Sequence, residues 1–211
     1  MLHDPVNMRK LQIQFNFSSE FKISFRSEKG QLYCDFKYAP FSRENRKTIG
    51  ENEEKLMANN IKAALESTVC LHEFPNFQID VFVLVLEDDG SVLSTSIMAC
   101  GMAFMDGGIP CYDIITSSSV AIVNGQLLID PSGHEEEEIK NSTESDMANY
   151  GTVTISTLSA MEQISQIAFS GYVDASLIQS SRKHILEMNK SNVNYLKKII
   201  SMKIAQDTNE T

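Results

Sequence analysis

Residues 11–17 (LQIQFNF) and 21–25 (FKISF) alternate apolar with polar positions, and the short break at 18–20 predicts that the two strands form a hairpin. Gly30 punctuates the chain before a third strand over 31–38. From 51 to 69 the period changes: Leu56, Met57, Ile61, Ala64, Leu65 and Val69 recur at spacings of three and four, which predicts an amphipathic helix. A proline-containing turn at 72–76 follows. Residues 77–86 (FQIDVFVLVL) are then almost uninterruptedly apolar and rich in β-branched and aromatic side chains, the composition of a strand buried on both faces.

A helix is predicted from 92 to about 105, where Ala99, Gly101 and Ala103 are small enough to admit a close neighbour, and it ends at Gly107-Gly108 before Pro110. Strands follow at 114–123 and 126–129, separated by Asn124-Gly125, a dipeptide suited to the positive φ angles of a two-residue hairpin turn. Residues 131–149 are polar and read as a solvated loop with a short helical turn. A strand pair at 152–158 and 164–170 precedes a long helix opened by Asp174, with Leu177, Ile178, Ile185, Met188, Val193, Leu196, Ile199 and Ile200 as its buried stripe. The tail, 205–211, is expected to fray. Strands and helices are partly segregated and joined by short turns, so the fold class is α+β, mixed sheets packed with helices, rather than a doubly wound parallel sheet. No internal repeat is present.

Composition narrows the class. The 211 residues suit one domain, 1–211, long enough to bury roughly 70% of the unfolded surface. The longest wholly apolar run, 81–86, falls far short of the roughly 18 residues of a membrane span, so no membrane segment is expected. The opening MLHDPVNMRK has no apolar signal region, and an intracellular location is expected from it. Cys34, Cys70, Cys100 and Cys111 are widely spaced without ligand spacing to a histidine, which reads as buried free thiols rather than zinc ligands or a disulfide framework. The net charge of -10 opposes a stand-alone nucleic-acid binder, so RNA contact should be local or shared with partners.

Candidate chemistry concentrates at 86–110. There Asp88 and Asp89 make an acidic turn, Gly90 is permissive, and Ser91 is placed as the N-cap of the following helix, the layout of a phosphate-handling turn without a cation. Arg43, Arg46 and Lys47, with Asn45, form a compact basic cluster able to hold a phosphodiester backbone without reading sequence. His134 and the acids Glu135 to Glu138 read as a solvated run rather than a metal site, and no metal or cofactor is expected. His72 and His184 lack a nucleophile at suggestive spacing, and Met98, Met102 and Met105 read as core packing.

The Asp88–Val92 segment resembles the D-x-G-[ST]-R motif of RNase PH-type phosphorolytic ribonucleases, with Val92 where active members carry arginine. The pattern of Leu32, Cys34, Asp35, Phe36, Ala39, Pro40 and Phe41 is similar to that of the RNase PH-like ring subunits of the eukaryotic exosome, of the non-catalytic messenger-RNA-transport-regulator type. The resemblance runs from about Gly30 to Ile200. It implies the RNase PH fold, ribosomal protein S5 domain 2-like, with the N-terminal strands altered or missing, because residues 1–29 lack the family's usual opening segments.

The resemblance further implies that Asp130 stands at one family carboxylate position and Tyr150 at the second, so that Ser91, Val92, Asp130 and Tyr150 are degenerate active-site positions and no catalytic residue remains. Tyrosine at neutral pH is a poor Mg²⁺ ligand. The implied role is a structural ring subunit, pairing with other RNase PH-like subunits and with RNA-binding cap subunits, in 3' to 5' RNA decay and ribosomal RNA processing in nucleus, nucleolus and cytoplasm. The basic loop of Arg43, Arg46 and Lys47 would face RNA in the central pore. The alternative is an active phosphate-dependent exoribonuclease using Ser91, Asp130 and Asp146 with an arginine from a neighbouring subunit.

Overall fold

Every second side chain of Gln31–Tyr38 that points inward is buried, Leu32, Cys34 and Phe36, so this segment forms a strand with one wet and one dry face. It is β2 of a computed structural model of the chain, which describes residues 11–18, 28–42, 50–141 and 149–207. The elements in order are β1 Leu11–Ser18, β2, α1 Glu51–Glu66, β3 Gln78–Val85, α2 Val92–Asp106, β4 Ile115–Val123, β5 Gln126–Ile129, α3 Gly133–Asn141, β6 Tyr150–Leu158, β7 Gln163–Tyr172 and α4 Ala175–Asp207. A 3-10 turn, Leu71–Glu73, precedes β3.

Two sheets result. The first has the order β1-β3-β2, with β1 antiparallel and β2 parallel to β3, and the second has the order β5-β4-β6-β7, antiparallel throughout. A parallel pair needs a crossover, and α1 supplies it between β2 and β3. Helices α1 and α2 lie between the sheets: α1 touches β2 and β7, while α2 touches β1 and β3 on one side and β4 and β6 on the other. Their shared core joins Phe36, Ile79, Val81 and Val83 of the first sheet, Ile61, Leu65, Ile97 and Phe104 of the helices, and Ile115 and Leu158 of the second sheet. Helix α4 covers the opposite face of the second sheet, where Val120, Ile122, Val153 and Ile155 meet Ile185. The order of layers is sheet, helices, sheet, helix.

A helix between two sheets cannot keep a polar face, and α2 buries residues all round: Val92, Leu93, Ser94, Ser96, Ile97, Cys100, Gly101 and Phe104. The expected close approach is realised at Gly101, where an added Cβ would stand 2.3 Å from Cγ2 of the buried Ile115. Between β4 and β6 the hydroxyls pair off in a dry layer, Ser119 with Thr154 at 2.8 Å and Ser156 with Ser117 at 3.0 Å. Asn189 fixes α4 on the other face by accepting from Ser118 Oγ at 2.7 Å and donating to the Ile155 carbonyl at 3.0 Å.

Three expectations change. Residues 21–25 of the expected hairpin lie outside the described residues, and β1 pairs with β3. Strand β3 is dry on one face only, since Ile79, Val81, Val83 and Val85 are buried while Gln78, Asp80, Phe82 and Leu84 on the other face are half-exposed, with no layer among the described residues covering that side of the sheet. The solvated loop at 131–149 contains a nine-residue helix, α3, at whose start the Glu135 carboxylate accepts from both N–H and Oγ of Ser132. Of the expected α4 stripe, Ile185, Val193 and Leu196 are buried and Leu177, Ile178, Met188 and Ile200 half-buried, whereas Ile199 is 37% exposed, and the helix itself continues to Asp207.

The cysteines are free, three buried and Cys111 partly so. Burial pushes the Cys34 thiol up to about 12 and the Cys111 thiol up to about 11, which keeps both protonated and unreactive at neutral pH. Among the described residues no helix is long and apolar enough to cross a membrane.

Candidate active-site turn

The turn from Asp88 to Ser91 connects β3 to α2, and its backbone is left-handed at two successive residues: φ is 87° at Gly90 and 48° at Ser91. Gly90 has no alternative here. Besides the positive φ, an added Cβ would lie 2.4 Å from the Pro131 carbonyl oxygen, 2.6 Å from Ser132 C and 2.8 Å from Gly133 N. The Asp88 side chain accepts the Gly90 N–H at 3.0 Å, an Asx-type local bond that shapes the turn.

Ser91 stands at the N-cap of α2 as expected but caps nothing with its side chain. The left-handed backbone turns its hydroxyl away from the helix, and Oγ donates to the Pro131 carbonyl at 3.2 Å. Its own carbonyl accepts from Ser94 Oγ at 2.9 Å and Thr95 Oγ1 at 3.0 Å. The Ser91 N–H donates to Glu136 Oε1 at 2.7 Å, a contact across 45 residues of sequence. Val92, the first residue of α2, is 7% exposed and belongs to the central core.

Asp130 ends β5 with a left-handed φ of 55°, its N–H donating to the Ser119 carbonyl at 3.1 Å. Because Pro131 follows it, Asp130 is carried to the edge of the same turn. Tyr150 is not. It opens β6 one residue before Gly151, which pairs with Ile122, whereas Asp130 lies level with Ser119, and three to four strand residues amount to ~10–13 Å. The Tyr150 hydroxyl instead donates to Asn124 Oδ1 at 2.6 Å, at the hairpin end of the sheet. The structure thus brings together Ser91, Val92 and Asp130, and leaves Tyr150 apart.

The other sequence motif converges on this turn. After β2, Ala39 donates to the Val85 carbonyl at 2.9 Å, Ser42 donates to the Ala39 carbonyl at 2.9 Å, and Ser42 in turn accepts the Asp88 N–H at 2.8 Å. Arg43, Arg46 and Lys47 begin directly after Ser42 and lie outside the described residues, as does Asp146.

Residues 132–136 are what sequence reasoning missed. Ser132 N and Oγ both donate to Glu135 Oε2, at 2.7 and 2.9 Å, and the Glu136 N–H donates to the Ser132 carbonyl at 3.0 Å. This is the S-x-x-E signature of a helix start, legible in the sequence but masked by the run of acids that follows. Within that run Glu135 accepts from Ser132 and Glu136 from the Ser91 N–H, and the side chains of Glu137 and Glu138 lie at the surface. No group of His, Cys, Asp and Glu among the described residues is placed to hold a metal ion.

Residues 8–110 match the RNase PH family, described as the 3' exoribonuclease family, domain 1. The match starts well before Gly30 and takes in β1. Human exosome complex component MTR3 is 37% identical over 113 residues, which are 52% of this chain and 42% of that protein. The exosome complex component RRP41-like of Arabidopsis thaliana is 37% identical over 116 residues, 54% of this chain and 44% of its own length. The chain therefore spans less than half the length of these relatives. The crystal structure of Rrp46 from rice (Oryza sativa) superposes with a TM-score of 0.70 at 17% identity, covering 89% of this chain and 81% of that one, a likeness of fold.

Proposed function

We propose, from the premise that this is an RNase PH-like chain related to exosome ring subunits, that it serves as a non-catalytic member of such a ring and contributes surface to the path of RNA. Phosphorolysis needs inorganic phosphate held against a phosphodiester while charge moves among phosphoryl oxygens, and a positioned cation supplies most of that stabilisation. The observation that carries the reading is Val92. At the first residue of α2, where the active members of the family carry arginine, the chain presents a buried isopropyl group with neither charge nor donor. Tyr150, standing at the second carboxylate position, lies three to four strand residues from Asp130.

In this proposal the ring neighbours are other RNase PH-like subunits, RNA-binding cap subunits sit on the ring, and Arg43, Arg46 and Lys47, which follow Ser42 in sequence, contact the RNA backbone. The work of the complex would be 3' to 5' decay and ribosomal RNA processing in nucleus, nucleolus and cytoplasm. The experiment is to incubate the chain, by itself and within a reconstituted ring, with a short RNA and inorganic phosphate, and to quantify nucleoside diphosphates. No release attributable to this chain is expected. Phosphate-dependent release that Asp130→Asn abolishes would overturn the reading in favour of an active exoribonuclease.

A further inference from the structure

We propose that the outward side of α4 is a contact for the phosphate backbone of single-stranded RNA, additional to the basic loop of the proposed function. Charge sets this helix apart. Residues 175–202 carry five Lys and Arg against the single acid Glu187, a net of +4 in a chain whose net is -10, so the rest of the chain carries -14. The helix lies outermost in the order of layers and is seated on the second sheet from one side, where Ser181, Ile185, Asn189, Val193 and Leu196 are buried and Asn192 donates to Ser118 Oγ at 3.2 Å.

The cations turn the other way. Lys183, Lys190, Lys197 and Lys198 are all exposed, and none is paired with a carboxylate among the described residues. On α1, by contrast, Lys55 stands 3.5 Å from Glu51 and Lys62 stands 3.6 Å from Glu66. Lys183, Lys190 and Lys197 recur every seven residues, which lines them up along the helix with a drift of about 20° per step and sets them ~10.5 Å apart. That interval is close to three steps of a stacked strand, at about 3.4 Å each. Like charges in a row repel, and a polyanion relieves the repulsion while releasing its own counterions.

Tyr195 favours RNA over an acidic protein segment. Its ring is 66% exposed and neighbours Lys198 three residues on, so that a base can stack there while its phosphate meets a lysine. A docked helix would need an apolar seam along the whole face. The exposed apolar side chains, Tyr195, Ile199 and Met202, occupy only the C-terminal turns, whereas polar His184 and Ser191 stand beside Lys183 and Lys190.

The test is fluorescence anisotropy of a labelled oligouridylate with the full chain across a salt series. Lys183→Gln, Lys190→Gln and Lys197→Gln combined should lower the slope of log affinity against log salt by about 2, three contacts at ~0.7 each. Arginine at the same three positions keeps the charge and should keep the slope, while Tyr195→Ala should weaken binding by about fivefold or more at an unchanged slope. Every position changed is exposed, so the fold should persist, which circular dichroism checks. An unchanged slope in the glutamine variant overturns the proposal, as does a wild-type chain that fails to bind at low salt. Polyglutamate of matched charge that binds more tightly than the RNA would assign the face to an acidic protein and also overturn it. The combined Arg43→Ala, Arg46→Ala and Lys47→Ala variant separates the two contacts: a slope that falls with the loop and not with α4 overturns this one and leaves the proposed function standing.

Discussion

Gly90→Val should destabilise the chain by roughly 2–5 kcal/mol, the sum of a strained left-handed backbone and an overpacked contact. A β-branched residue is poorly tolerated at φ 87°, and its Cβ would press on backbone atoms of Pro131, Ser132 and Gly133 rather than on the end of a yielding side chain. Relief requires α3 to move away from α2. The loss should therefore be accompanied by faster amide exchange at 132–136 and at Ser91, whose bonds to Pro131 and Glu136 break. Gly90→Ala should show the same pattern to a smaller degree. Differential scanning calorimetry and hydrogen exchange read both effects; a melting temperature unchanged in Gly90→Val would mean that the turn is not clamped as described.

Phe104→Ala should cost roughly 3–5 kcal/mol, about 6–20 °C in melting temperature for a chain of this size. Phe104 is fully buried on α2, in the layer between the sheets, where its core neighbours include residues of both sheets and of α1. A cavity there has walls on both sides that cannot collapse together, because Gly101 already holds α2 against Ile115. Phe104→Leu should lose much less. Equal small losses for both substitutions, measured by urea unfolding, would contradict the placement of α2 between two packed layers.

Most strands and their turns were legible because they are local. The alternation of Gln31–Tyr38 marks β2 at its observed bounds, and Asn124-Gly125 takes positive φ at both positions, 51° and 76°, as the hairpin requires. What escaped depends on layers. Nothing in 77–86 distinguishes a strand buried on both faces from a central strand with one half-exposed face, since Phe82 and Leu84 are apolar in either case. The stripe of α4 includes Ile199 in sequence, although that side chain is 37% exposed in the fold. At the site, the Gly90-Ser91 turn and its helix could be read from residue types, but the Ser91 to Glu136 bond links segments 45 residues apart, and no periodicity encodes it. The family resemblance puts Tyr150 at a carboxylate position, whereas strand register decides where it sits.

The central claim is that this chain is a ring-forming subunit whose own chemistry has been lost. The most direct measurement is native mass spectrometry of the chain co-expressed with candidate RNase PH-like exosome subunits. A defined ring mass containing one copy of the chain is the predicted result. A chain that stays by itself or aggregates, while the candidate subunits assemble without it, would contradict the account.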